Sequence, residues 1–243
     1  VAEGDNSSDL DYAATNALAL NNGTIKDAAG NAATLTLPTI GGGNSLSDNN
    51  QLVIDGIRPF LTSVSIASNN TITTLANAGN NVTLSFTASE TIAAPTVTFQ
   101  SGNVDITNPV TTSNDASSED PNDWNAQYTT HANDQDGAIS FTITYSDSAG
   151  NAGTDVTDVS TGNTTVSFDN TTPTASAAPS FTAVGGTVVS GYWNSTNTDL
   201  SLNVAIDNDS TLDGGELQLK AQVDSEGFED LSGVYAITTS DIN

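Results

Sequence analysis

The sequence predicts an all-β protein made of antiparallel β-sandwiches, and three observations support this fold class. Short runs of alternating apolar and polar residues recur along the chain, as in strands that turn one face to a core. Clusters rich in Gly, Asn, Asp, Ser and Pro separate these runs and predict turns. No segment repeats its apolar residues at the spacing of a helix. Strands and turns in this arrangement are typical of a sandwich.

The predicted strands can be placed along the chain by their alternation. A first strand is expected from about Phe60, because the preceding proline cannot donate to a ladder and suits the start of an edge strand. Alternating runs then predict strands at residues 82–86, 97–99, 139–145, 166–168, 200–206 and 217–223. In each run the apolar residues occupy every second position, so we expect them to face a core.

Two short motifs occur twice in the same order, which predicts an internal repeat. The first motif is Asp-x-Ala-Gly-Asn, and it begins at Asp27 and again at Asp147. The second is Asp-x-x-x-Pro after apolar residues, and it begins at Asp55 and again at Asp169. Gly and Asn are typical of tight turns because they tolerate the backbone conformations that such turns require. The backbone alone does not explain the Asp of the first motif.

The second motif is interpreted as a domain boundary, because its proline fixes the backbone. Division there gives residues 1–57 as the C-terminal part of a preceding repeat, 58–173 as a complete domain and 174–243 as the N-terminal part of a following repeat. The middle segment has the size of an immunoglobulin-like domain. We expect an excerpt of a longer protein; completion of the partial ends by neighbouring molecules is the alternative.

The charge balance restricts the partners and suggests a compensating ion. The chain has 29 acidic and 3 basic residues, for a formal net charge of -26. So few cations exclude nucleic acid as a partner, and self-repulsion calls for high salt or bound divalent cations. Asp far outnumbers Glu, and Asp is typical of calcium-binding loops. No apolar run is long enough to cross a bilayer, so we expect no membrane insertion of this segment.

Four stretches carry a family resemblance. TIKDAAGNAATLTLP, LVIDGIRP, ISFTITYSDSAGNAG and VSGYWNSTNTDLSLNV resemble the tandem immunoglobulin-like repeats of giant bacterial surface adhesins and related cell-surface proteins. The resemblance covers essentially the whole chain. It implies tandem immunoglobulin-like β-sandwiches in an extracellular or cell-surface protein. It also implies calcium ions that stiffen the junctions between domains, as in cadherin modules.

Immunoglobulin-like topology predicts a metal site at one end of the middle domain. The B–C and F–G loops lie at the end where strand A begins. Glu90 falls in the B–C loop, Asp147 and Asn151 fall in the F–G turn, and Asp55 falls in the entry linker. Their oxygens are therefore predicted to converge, and calcium takes six to eight oxygen ligands. The alternative is that Asp147 only accepts hydrogen bonds from the amides of its own turn.

The same reasoning extends the predicted metal ligands to the partial repeats. Asp27 and Asn31 are expected at the corresponding end of the preceding repeat. Asp169 is expected to begin a second junction, joined by an oxygen ligand from the next B–C loop, namely Asp207, Asn208 or Asp209.

The remaining candidates favour a protein that is not an enzyme. His131 is the only histidine, so a catalytic triad or a His-based metal site has at most one imidazole. Tyr192 and Trp193 are candidates for a sugar-stacking platform, although aromatic residues at a strand start more often serve packing. Trp124 invites the same comparison.

The sequence therefore predicts a structural extender segment of a large, acidic, extracellular bacterial adhesin or surface filament. Its expected partners are adjacent immunoglobulin-like repeats of the same or a neighbouring chain, and its expected cofactor is structural Ca²⁺. Two alternatives stay open. One is a carbohydrate- or surface-binding module that contacts cell-surface glycans, and the other is a salt-adapted surface-layer or sheath protein.

Overall fold

The computed structural model describes residues 1–162, 165–173, 177–206, 208–209, 212–218, 220–221, 229–230 and 234–242. Among these described residues strands make up 35% and helix 2%, which confirms the all-β prediction. The chain divides into two compact units, Val1–Asn170 and Thr171–Asn243. The boundary predicted between residues 57 and 58 lies inside the first unit, and the division into three parts stays a prediction.

The elements are numbered in chain order. The helix α1 spans Leu46–Asn49. The strands are β1 (Asn6–Ser7), β2 (Ile54–Asp55), β3 (Leu61–Ser68), β4 (Leu75–Ala76), β5 (Asn81–Ala88), β6 (Thr96–Ser101), β7 (Val104–Asp105), β8 (Thr111–Asn114), β9 (Asp123–Thr129), β10 (Gly137–Thr144), β11 (Val166–Phe168), β12 (Ser180–Val184), β13 (Asp199–Asn203), β14 (Glu216–Leu217), β15 (Lys220–Ala221), β16 (Glu229–Asp230) and β17 (Tyr235–Ala236).

Two sheets build the body of the first unit. One has the order β3-β5-β9-β8 and is antiparallel throughout. The other has the order β4-β11-β10-β6-β7, in which only the β4–β11 pair is parallel. Buried residues of both sheets form one hydrophobic cluster, as in a β-sandwich. The chain passes from the first sheet to the second between β3 and β4 and returns to the first sheet between β4 and β5.

Alternation explains which side of each strand is buried. Val82, Leu84 and Phe86 of β5 are each at most 2% exposed, while the polar residues between them lie on the outer face. β10 alternates in the same way through Ile139, Phe141 and Ile143. The core therefore consists of every second residue of each strand, as the period of two requires.

The long predicted strands are confirmed with small shifts at their ends. The runs at 82–86, 97–99 and 139–145 lie in β5, β6 and β10, and the first strand begins at Leu61. The run at 166–168 is β11, which pairs with the start of β10, while Val156 makes a separate bridge to Ile143 near the end of β10. Alternation does not predict β4, β7 and β8, because these strands are short or lack alternating apolar residues.

The first 57 residues contain little regular structure. β1 pairs with β2, with Asn6 opposite Asp55, and α1 begins with a capping box between Ser45 and Asp48. The alternating run at residues 33–37 forms no strand here, because Ala32 makes only a single bridge to Lys26 and no neighbouring strand continues the pairing.

The second unit contains three strand pairs among its described residues: β12–β13, β14–β17 and β15–β16, all antiparallel. The predicted strand at 200–206 corresponds to β13. The predicted strand at 217–223 corresponds to β14 and β15 where it is described. In the described parts of both units, no helix is long and apolar enough to cross a membrane.

Candidate metal centre

The repeated Asp-x-Ala-Gly-Asn motif forms the same hydrogen-bonded turn in both places. In the second copy, Oδ1 of Asp147 accepts from the amides of Ala149 at 2.9 Å and Asn151 at 2.8 Å. Its Oδ2 accepts from the side-chain amide of Asn151 at 2.8 Å. The amide of Gly150 donates to the Asp147 carbonyl at 3.3 Å, and Gly150 has φ +93°. A side chain with Cβ rarely adopts that backbone conformation.

The first copy repeats each of these bonds. Oδ1 of Asp27 accepts from the amides of Ala29 and Asn31, both at 2.9 Å, and Oδ2 accepts from the side chain of Asn31 at 2.8 Å. Gly30 has φ +90°. In both copies the Asp accepts hydrogen bonds from the amides of its own turn, as the alternative in the sequence analysis states.

The surroundings of the two turns differ. Asp27 and Asn31 are exposed, whereas Asp147 is only 4% exposed. The loop after β5 covers the second turn: Ile92 bridges to Asp147, and the amide of Ala93 donates to the Ser146 carbonyl at 2.8 Å. This contact brings Glu90, which precedes the bridge, to the same end of the sandwich.

The linker before β3 reaches the same point. The side-chain amide of Asn151 donates to the Asp55 carbonyl at 3.0 Å as well as to Asp147. Oδ1 of Asp55 accepts from the amide of Ile57 at 3.0 Å, which turns the chain toward the sandwich. Asn151 thus ties the linker to the turn.

The carboxylates of Asp55, Glu90 and Asp147 gather at this end, which we call the entry pole. Their ligand atoms lie within 4.8 Å of one another. Asp55 and Glu90 are half-buried, and Asp147 is buried. Within the described part of the chain, no Lys or Arg pairs with these three groups. Arg58 instead contacts Glu3 at 3.9 Å and the Ala152 carbonyl at 3.4 Å.

The pKa shifts reflect this crowding. Burial raises the pKa of Glu90, and the charges of Asp55 and Asp147 raise it further. Burial also pushes the pKa of Asp147 upward, but the hydrogen bonds from Asn151, Ala149 and Gly150 outweigh burial, so its pKa is lowered. Of these two carboxylates, Asp147 keeps its charge more readily and Glu90 binds a proton more readily.

The donor set suits a hard divalent cation. All three side chains offer oxygen, the ligand that calcium and magnesium prefer. Each oxygen of Asp147 already accepts hydrogen bonds, yet a carboxylate has about four acceptor positions, so a further ligand direction is left. Carboxylates from three segments supply part of the six to eight ligands of calcium, and backbone carbonyls or water would supply the others.

The other predicted ligands do not form such a group among the described residues. Asp27 and Asn31 bond to each other in an exposed turn. The amide of Asp169 donates to the Ala76 carbonyl at 2.9 Å, and the Asp209 carbonyl accepts from Leu212 at 3.1 Å. Asp207 lies outside the described residues.

The aromatic and histidine candidates fall in different environments. Tyr192 and Trp193 are 71% and 55% exposed, whereas Trp124 is 8% exposed and belongs to the core. His131 is exposed, and its Nδ1 accepts from the Asn133 amide at 3.2 Å.

Sequence reasoning missed the contacts that close the entry pole. The bond from Asn151 to the Asp55 carbonyl and the bond from Ala93 to Ser146 both join segments far apart in the chain. No local sequence pattern predicts these contacts, because they depend on how the loops approach one another.

A scan against protein-family models and a search of the curated proteins both found no match.

Proposed function

We propose that this chain is a structural, non-enzymatic extender segment of a large extracellular bacterial adhesin or surface filament. In this proposal, immunoglobulin-like repeats follow one another, and calcium at the entry pole fixes the linker that leads into the sandwich. Adjacent repeats of the same or a neighbouring chain are the partners.

One observation carries the proposal. Asp55, Glu90 and Asp147 come from a linker, a loop and a turn, and their ligand atoms lie within 4.8 Å. Like charges at this distance repel, and the chain supplies no cation to them in its described part. A bound divalent cation would turn this repulsion into attraction and would tie the linker to the two loops.

The strand order supports the immunoglobulin-like part of the proposal. The sheet β3-β5-β9-β8 corresponds to strands A, B, E and D, and β11-β10-β6 corresponds to G, F and C. In that scheme the B–C loop and the F–G turn lie beside the start of strand A. Glu90 and Asp147 occupy those two positions here, and Asp55 precedes strand A.

The expected gain in stability is large enough to measure. A ligand that binds only the folded state, at about 100 times its dissociation constant, adds roughly 2.7 kcal/mol. For a unit of this size, each kcal/mol raises Tm by about 2–4 °C. Calcium is therefore expected to raise the Tm of the first unit by roughly 5–10 °C.

Thermal unfolding of the chain in dilute buffer tests the proposal, with EDTA in one arm and excess calcium in the other. A third arm replaces calcium with concentrated sodium chloride. We expect calcium to raise Tm at low salt. If sodium chloride raises Tm while calcium at low salt does nothing, the salt-adapted surface-layer alternative replaces this proposal.

A further inference from the structure

The side-chain amide of Asn151 contacts two of the segments that meet at the entry pole. Its nitrogen donates to Oδ2 of Asp147 at 2.8 Å and to the main-chain carbonyl of Asp55 at 3.0 Å. A side-chain amide has two N–H donors, so both donors of Asn151 are used. One uncharged group therefore holds together an acidic turn and a linker that lies 96 residues away in the chain.

The orientation of this amide follows from its two partners. A carboxylate oxygen of Asp147 and a carbonyl oxygen face it, and both can only accept hydrogen bonds. With its own oxygen turned toward them, the amide would place an acceptor against two acceptors and lose both bonds. An aspartate would do the same and would add a charge beside Asp147. The position therefore suits asparagine, although the chain has 29 acidic residues.

The first copy of the motif shows what the turn alone requires. The side chain of Asn31 makes the corresponding bond to Oδ2 of Asp27 at 2.8 Å, in a turn that is exposed. In the described part of the chain, Asn31 donates no side-chain bond to a distant segment. The bond from Asn151 to the linker is thus an addition in the second copy, and closure of the turn does not explain it.

The other side-chain contact that the structure describes between this linker and the turn is weaker. Arg58 lies 3.4 Å from the Ala152 carbonyl, which is longer than the usual N–H···O distance, and its side chain is 63% exposed. Asn151 is half-buried beside the buried Asp147, so water competes less for its bonds. We therefore expect Asn151 to contribute more than Arg58 to the position of the linker.

We propose that Asn151 is a positioning residue, which holds the linker that carries Asp55 against the F–G turn before an ion binds. The carboxylate of Asp55 is thereby kept near those of Glu90 and Asp147, although like charges repel one another. A cation that binds preformed ligands requires less ordering of the chain. The calcium part of this inference rests on the proposed function, whereas the part that concerns the linker holds without an ion.

Hydrogen exchange in EDTA, followed by NMR, tests the part that needs no ion. The amides of Gly56 and Ile57 both donate hydrogen bonds in the folded chain. In Asn151→Ala they are expected to exchange roughly fivefold faster than in the wild-type chain, which corresponds to the loss of one hydrogen bond. Asn151→Asp, which cannot donate, is expected to show at least the same increase. Asn31→Ala is the matched control, because it removes only the bond within the first turn, and it is expected to leave the linker unchanged.

Calorimetric titration with calcium chloride tests the other part. We expect Asn151→Ala to bind calcium about 10–100 times more weakly than the wild-type chain, as is usual when a residue that orients metal ligands is removed. Asn31→Ala is expected to bind like the wild-type chain. If Asn151 acted only within its turn, the two variants would respond alike. If Asn151 were only a ligand, calcium affinity would fall but linker exchange in EDTA would stay as in the wild-type chain.

Three results would overturn the proposal. The first is unchanged linker exchange in Asn151→Ala, and the second is equal calcium affinity of that variant and a wild-type chain that binds calcium. The third is an exchange of the β5 and β10 amides that rises as much as that of the linker, since this would mean general destabilisation. A wild-type chain that binds no calcium would refute the proposed function, and linker exchange would then decide alone whether Asn151 positions the linker.

Discussion

The duplicated turn offers a matched pair of substitutions, Asp27→Asn and Asp147→Asn. Each replaces a carboxylate that makes the same hydrogen bonds to its own turn. In each variant an amide nitrogen replaces one carboxylate oxygen and cannot accept the hydrogen bond from the side chain of Asn31 or Asn151. That asparagine side chain then loses its acceptor or has to flip, so the two variants lose the same hydrogen bond within their turns. Only Asp147 also belongs to the acidic group at the entry pole.

The expected magnitudes follow from the geometry. Two carboxylates whose oxygens lie within 4.8 Å of each other repel by about 3 kcal/mol or more at an effective dielectric constant of about 20, and water and salt reduce this figure. Loss of a hydrogen bond to a buried charged group such as Asp147 costs roughly 1.5–3 kcal/mol. In EDTA these effects offset each other, so Asp147→Asn is expected to change stability little despite the burial of the residue.

In calcium the two variants are expected to separate. Asp27→Asn keeps the full calcium-induced rise in Tm, whereas Asp147→Asn loses most of it, because a ligand oxygen and its charge are gone. Differential scanning fluorimetry with EDTA and with excess calcium measures both. An equal response of the two variants to calcium would refute the assignment of Asp147 as a metal ligand and leave it with the turn alone.

Two further predictions concern the same end of the sandwich. The pKa of Glu90 is raised, so the folded state binds the Glu90 proton more tightly than the unfolded state does. Stability is therefore lost as pH rises through the raised pKa. Glu90→Gln is expected to be more stable than the wild-type chain in EDTA at neutral pH, because glutamine stays uncharged. Urea unfolding across the acid range should show this difference shrinking toward zero below the ordinary pKa of glutamate, and a constant difference would speak against the linkage. Gly153→Ala is expected to destabilise the chain by about 1–3 kcal/mol, because its Cβ would lie 2.3 Å from the Tyr145 ring. Chemical denaturation measures this loss, and Ala33→Gly in the exposed first copy serves as its counterpart with little expected effect.

The long strands could be predicted because their signal is local. β5 and β10 bury every second residue along eight positions, so the alternation is written in the sequence itself. β4 has two residues and pairs in parallel with β11, which no pattern of two residues can encode. The run at residues 33–37 alternates equally well and forms no strand, because a strand also needs a partner.

The candidate site could be predicted in outline from strand order alone. The order of the strands decides which loops lie at the same end of a sandwich. That order alone predicts that Glu90 and Asp147 lie near Asp55. The difference between the two copies of the turn could not be predicted, because Asp27 and Asp147 stand in nearly the same motif. It arises from the bridge between Ile92 and Asp147, which joins a distant loop to the second copy.

Calorimetric titration of the chain with calcium tests the central claim most directly. The wild-type chain is compared with an Asp55→Asn/Glu90→Gln variant, in which the hydrogen bonds of the Asp147 turn are intact. We expect a saturable heat of binding for the wild-type chain and a much weaker one for the variant. No heat beyond dilution in the wild-type chain, or the same heat in both, would contradict it.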